Sequence, residues 1–214
     1  RSAGRGSRVS PKSSRILHYW AAKSIKRLRP PTLICAPSNT INRPRFECSD
    51  RTHASVLPVS RIGVSALIDE LVDRGTFVEW GPADLGIELD PGPPEGEYAS
   101  ELAKAREATG RTESVVVGTA DIAGDRTVLL LGDFDFLAGS VGRAACQLVI
   151  AAFDKASELK LPVFASPASG GTRMQEGTAA FVLMADVAAA AHRFRGTGNA
   201  LVVWLRHPTT GGGM

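Results

Sequence analysis

The stretch best suited to chemistry is Ser166-Pro-Ala-Ser-Gly-Gly-Thr-Arg-Met-Gln-Glu176, a run of small residues ahead of an apolar, periodic segment. Adjacent glycines at a helix start leave backbone N–H groups exposed and let a ligand come close. Gly170 and Gly171 can therefore hold an anion, or the oxygen of a polarised carbonyl. One donor of this kind in an oxyanion hole is worth about 3 kcal/mol. The alternative is a plain strand-to-helix turn, where paired glycines are common.

Phe136-Leu-Ala-Gly-Ser-Val-Gly142 is a second glycine-containing turn. It approaches the hydrolase elbow G-x-S-x-G, with Ser140 as nucleophile and Asp186 and His192 as guessed partners, but Ala138 stands where the first glycine belongs. The plainer reading makes Ser140 the N-cap of the helix that follows. Asp133 and Asp135 flank Phe134 and can pair as acid and base, although solvated loop carboxylates are more frequent. His192 is accounted for by a helix C-terminus and His207 by a loop turn, while His18 and His53 have no partner at metal-ligand spacing. There is no P-loop lysine motif and no well-formed G-x-G-x-x-G, so nucleotide hydrolysis and dinucleotide binding are poorly supported.

The elements that must position these residues follow from periodicity. Val64, Leu67, Ile68, Leu71 and Val72 recur at helical spacing up to Gly75. Gly81 to Gly96, with Pro82, Pro91, Pro93 and Pro94, reads as a linker, and Tyr98, Leu102 and Ala105 mark a short helix ending at Gly110. Val115–Val117 and Val128–Leu131 form two strands around a turn at Gly124 and Asp125. A helix with Val141, Ala144, Ala145, Leu148, Ala152 and Ala156 on its apolar face comes next, then a strand at Leu161–Ala165. Thr172 opens a further helix, with Gln175 completing a capping box and Glu176 suiting the dipole of the first turn. That helix carries His192, Arg193 and Arg195 near its end and stops at Gly196; Leu201–Leu205 is the last strand. The turn at Thr209 to Gly213 reads as one that leads on to further chain.

The chain has 214 residues with a net charge of +3, and the charge is unevenly spread. Residues 1–58 hold 12 Lys or Arg against Glu47 and Asp50, whereas residues 59–214 hold 13 basic and 20 acidic residues. The first segment, rich in Arg, Ser and Pro, is expected to be a disordered tail; a nucleic-acid arm using Lys23, Lys26, Arg27 and Arg29, or a transit peptide, are the alternatives. Cys35, Cys48 and Cys146 are too few and too scattered for a disulfide framework or a zinc pattern, which fits a reducing, cytoplasmic setting. No segment reaches the roughly 18 apolar residues of a membrane span.

Three motifs taken together, Phe134-Asp-Phe-Leu-Ala-Gly-Ser-Val-Gly142, Ala168-Ser-Gly-Gly-Thr-Arg-Met-Gln-Glu176 and Arg206-His-Pro-Thr-Thr-Gly-Gly212, resemble successive motifs of the carboxyltransferase beta subunit of acetyl-CoA carboxylase. The resemblance covers about Val59 to Met214. It implies an α/β crotonase-like ββα superhelix, here expected to be incomplete at its C-terminus. It also implies transfer of a carboxyl group from carboxybiotin, on a partner carrier protein, to the alpha carbon of an acyl-CoA, giving malonyl-CoA-type products for fatty acid synthesis. Carried over by position, Gly170 and Gly171 are the oxyanion donors, and Gly139, Ser140, Ser169, Thr210, Gly211 and Gly212 line the substrate site. The implied partners are a biotin carboxyl carrier or biotin carboxylase subunit and a second carboxyltransferase unit in an oligomer. Related two-subunit enzymes carry a four-cysteine zinc ribbon; this chain has no such set, so zinc is not expected. Ala138 departs from the usual glycine. A non-catalytic acyl-CoA-binding relic is the competing reading, ahead of a serine hydrolase using Ser140.

Overall fold

A computed structural model describes residues 61–93 and 95–211. The basic segment 1–58 and Gly212 lie outside the described residues. Helices α1 (Val64–Leu71), α2 (Glu97–Thr109), α3 (Arg143–Leu159) and α4 (Gly177–Gly196) alternate with strands β1 (Val78–Glu79), β2 (Val115–Ile122), β3 (Asp125–Gly132), β4 (Val163–Ser166) and β5 (Leu201–Val203).

The strands form one sheet in the order β1-β2-β3-β4-β5, antiparallel through β3 and parallel from β3 to β5. Ile122 pairs with Asp125 across a two-residue loop, Ala123 and Gly124, both at positive φ. This is the primed turn geometry that matches strand twist. The sheet is covered on both sides, which explains why β3 reads as an unbroken Val128–Leu131 run. Alternate residues part company: Leu129 and Leu131 join Val116, Ala120 and Ile122 beneath α1, whereas Val128 and Leu130 join Val117 beneath α3 and α4. In α1, Val64, Leu67, Ile68 and Leu71 are buried at the spacing of one helical face. Leu148, Ala152, Phe153 and Ala156 of α3 meet Ala190 and Phe194 of α4 over the other face, with the Phe153 and Phe194 rings 5.6 Å apart.

The structure departs from the sequence reading in four places. The segment 81–96 is not a free linker: Leu85, Ile87 and Leu89 pack into the α3 core, Lys155 lies 5.3 Å from the Trp80 ring, and the Asp90 N–H donates to Gln147 at 2.9 Å. Its prolines rule out regular structure without ruling out burial. Strand β1 went unseen because two residues carry no period. Ser140 does not cap α3, whose N-cap is Gly142. Thr172 and Gln175 form no capping box, because α4 starts at Gly177 after a 3-10 turn at Met174–Glu176 and Gln175 reaches Glu101 instead. Among the described residues no helix is long and apolar enough to cross a membrane.

Candidate functional site

Strands β3, β4 and β5 run parallel, and the turns that leave their C-terminal ends converge, the usual place for a ligand in such sheets. The turn after β3 brings Gly139 and Ser140, the turn after β4 brings Ser169, Gly170 and Gly171, and the turn after β5 brings Thr210 and Gly211. Ser169 is the hub. Buried, it donates its N–H to Pro208 O at 2.9 Å and accepts the Thr210 N–H at 2.9 Å. Three bonds of 2.9 Å join the first two turns: Gly170 N–H to Ala138 O, Val141 N–H to Gly171 O and Arg173 N–H to Val141 O. Gly139 sits at φ +63 with the Ala168 carbonyl where a Cβ would be, so only glycine lets the turns touch.

The predicted site residues thus come together, with Gly212 outside the described residues. Their donors are engaged: Gly170 N–H is held by Ala138 O, and Gly171 N–H meets the Ser169 hydroxyl at 3.0 Å. Gly171 N–H is thus held by a side chain, which a change of χ1 can withdraw, whereas Gly170 N–H is held by backbone. An apolar cavity of about 340 Å³ lies on one side of the turns, bounded by Gly139, Ser169, Val149, Phe153 and Met184. A more open cleft of about 680 Å³, bounded by Ser140, Gly170, Thr172, Lys104 and Glu101, lies on the other.

Behind the turns sits a cluster that sequence reasoning missed. Arg173 is fully buried and grips Glu113 with two bonds, Nη1 to Oε1 at 2.6 Å and Nη2 to Oε2 at 2.7 Å. Its Nη2 also donates to Ser140 O at 2.8 Å, and its Nε to Ser140 Oγ at 3.2 Å. Burial by itself lowers the Arg173 pKa, but the hydrogen bonds and charge of Glu113, helped by Tyr98, outweigh it and leave the pKa raised. Glu176 completes the cluster, taking the Tyr98 hydroxyl and, at 2.5 Å, the backbone N–H of Arg143. Its carboxylate serves the dipole of α3 rather than of its own helix. No local signal gives this away, since Glu113 and Arg173 are 60 residues apart.

Two other sequence readings change. Asp133 is buried and paired with Arg111 at 3.0 Å, where it accepts the Asp135 N–H at 3.1 Å; it is neither solvated nor half of a free acid–base pair. Ser140 Oγ faces the Arg173 guanidinium, which cannot take a proton, and no histidine bonds it among the described residues. The hydrolase reading lacks its base.

The mixed sheet, with helices on both faces and glycine turns at the ends of its parallel half, agrees with the crotonase-like fold that the sequence resemblance implies. The chain belongs to the carboxyl transferase domain family, whose model matches residues 87–214. It is 46% identical over 154 residues to the "Probable biotin-dependent acyl-coenzyme A carboxylase beta3 subunit" of Mycobacterium tuberculosis (strain ATCC 25618 / H37Rv), a match covering 72% of this chain and 30% of that one. It is 41% identical over 158 residues to the acetyl-coenzyme A carboxylase carboxyl transferase subunits beta/alpha of Salinispora tropica, covering 72% and 27%. The chain therefore spans less than a third of the length of these relatives. Among solved structures, the beta subunit of P. aeruginosa geranyl-CoA carboxylase superposes with a TM-score of 0.50 at 22% identity, over 67% of this chain and 24% of that one. Transcarboxylase 12S with hydrolyzed methylmalonyl-coenzyme A bound gives 0.51 at 20% identity, over 64% and 24%. At these identities the superpositions speak for the fold.

Proposed function

We propose that this chain provides the thioester-binding part of a biotin-dependent acyl-CoA carboxyltransferase. The observation that carries the reading is the meeting of three glycine-bearing turns on Ser169, at the C-terminal ends of parallel strands. In this reading the thioester oxygen takes the Gly171 N–H in place of the Ser169 hydroxyl, with Gly170 beside it. Negative charge builds on that oxygen as the alpha carbon loses a proton, and a fixed N–H dipole lowers the cost. Gly139, Ser140, Thr210 and Gly211 shape the approach, and Gly212, outside the described residues, follows them in sequence. Carboxybiotin, brought by a carrier subunit, supplies the carboxyl group. Acetyl-CoA is the finer reading of the substrate, with malonyl-CoA for fatty acid synthesis as product in the cytoplasm. A second carboxyltransferase unit is the proposed partner, and the apolar side of α4 supports it: Phe181 is 68% exposed and Val182 58%.

The test is calorimetric binding of acetyl-CoA beside S-ethyl-CoA, which differs by loss of the carbonyl oxygen. The expected result is a preference of about tenfold for the thioester, the weight of one hydrogen bond. Equal affinities, or none, overturn the reading. A second reading, a binding module without turnover, is favoured by the internal pairing of both glycine N–H groups; thioester preference without carboxyl transfer from carboxybiotin would select it.

A further inference from the structure

Arg173 bonds from the turn after β4 across to the turn after β3 while being closed off from any ligand. Its exposure is 0%, so whatever it contributes passes through its neighbours. One edge of the guanidinium is held flat by both oxygens of Glu113, which in turn accepts the Ser114 N–H at 2.8 Å at the start of β2. Two of the remaining N–H groups donate to Ser140, from Nη2 to its carbonyl at 2.8 Å and from Nε to its hydroxyl at 3.2 Å, and the third, on Nη1, meets the Tyr98 hydroxyl at 3.2 Å. Ser140 is two residues from Ala138, whose carbonyl aims the Gly170 N–H. The packing is tight on the far side too: a Cβ on Gly142 would lie 2.7 Å from Nη1.

We propose that Arg173, oriented by Glu113, is a positioning residue for the thioester site: it sets the spacing of the Gly139–Ser140 and Gly170–Gly171 turns and hence the direction of the N–H donors. This rests on the thioester reading above. A planar fork is required because two carboxylate oxygens and one carbonyl must be met in fixed directions, which the single ammonium of lysine cannot do. The pair is therefore more than a source of stability. The Ser140 carbonyl shares a peptide plane with the Val141 N–H, which donates to Gly171 O at 2.9 Å, so a shift of that carbonyl carries the Gly171 backbone and its donor with it.

The experiment uses the whole chain and compares acetyl-CoA with S-ethyl-CoA by calorimetry in the parent, R173K, E113Q and L67A, with a thermal midpoint for each. Leu67 lies beneath the opposite face of the sheet and supplies a destabilised control without contact to the turns. The expected result is that R173K and E113Q lose the roughly tenfold preference for the thioester, equivalent to one hydrogen bond, yet keep their affinity for S-ethyl-CoA. L67A keeps both. Should R173K fail to fold, E113Q, equal in shape to the parent side chain, carries the test. Retained preference in the folded variants overturns the positioning role while leaving the thioester reading intact; absence of preference in the parent overturns both.

Discussion

Glu176 caps a helix to which it does not belong: its carboxylate accepts the backbone N–H of Arg143 at 2.5 Å, closing the first turn of α3 from the head of α4. The first N–H groups of a helix lack partners within it, and a carboxylate there also meets the positive end of the dipole. Glu176→Ala is expected to cost about 0.5 to 2 kcal/mol, the range for loss of a cap, and Glu176→Gln less. Urea denaturation of the two variants measures it.

Gly139 and Ala138 should respond in opposite directions. Gly139→Ala places a methyl group into the Ala168 carbonyl at positive φ and is expected to destabilise by about 2 to 5 kcal/mol, strain and overpacking combined. Ala138 itself holds φ 54 and ψ 31, a left-handed conformation, so Ala138→Gly should stabilise by up to about 1 kcal/mol. Denaturation midpoints of the pair give the sign of each.

Breaking the buried pair from one side leaves a charge without its partner. Glu113→Leu is expected to lose about 3 to 5 kcal/mol, whereas Glu113→Leu with Arg173→Met should lose less, because no isolated charge remains. A double-mutant cycle in denaturant measures the coupling.

Alkaline solution should weaken the fold. Burial, aided by the charge of Glu176, pushes the Cys146 thiol from 9.0 up to about 11; burial and the bond to Glu176 push the Tyr98 phenol from 10.0 up to about 12. Both groups are held protonated in the folded chain and release protons sooner when unfolded. Their contribution is thus complete below about pH 9 and is lost as pH rises through 11 and 12. Midpoints recorded from pH 8 upward should fall, and Cys146→Ala should flatten the part between about 9 and 11.

The exposed side of α4 predicts self-association. On α4 Phe181 is 68% exposed beside Val182, and Met174, in the turn ahead of the helix, is 89% exposed. Sedimentation velocity should show concentration-dependent oligomers of the parent chain and a shift toward monomer in Phe181→Lys, with the thermal midpoint unchanged.

Helices and strands were legible wherever burial imposed a period: Val64 to Leu71, Leu102 with Ala105, and the β2–β3 hairpin lie where the apolar spacing puts them. The three glycine turns were legible too, because small residues cluster where backbones must touch. What failed was local inference about side chains with distant partners. Thr172 and Gln175 have the spacing of a capping box, yet the Val141–Thr172 bridge keeps the chain extended until Met174 and Gln175 goes to Glu101. Glu176 looked like a charge for its own helix, and Arg173 and Glu113 carried no sign of each other, since an ion pair has no period to betray it.

The strands lie side by side in the order in which they leave the ribosome, so each can add to the edge its predecessor left, and the sheet can grow as the chain is made. Two clasps join residues far apart in the chain. Glu113 must wait 60 residues for Arg173, and the carbonyl of Ile62 waits 144 for Arg206. Until Arg173 arrives, Glu113 is a carboxylate with no counter-charge at the end of a forming sheet, where water has to be retained. Chain order thus lets the sheet assemble before the Glu113–Arg173 pair can close beneath the glycine turns.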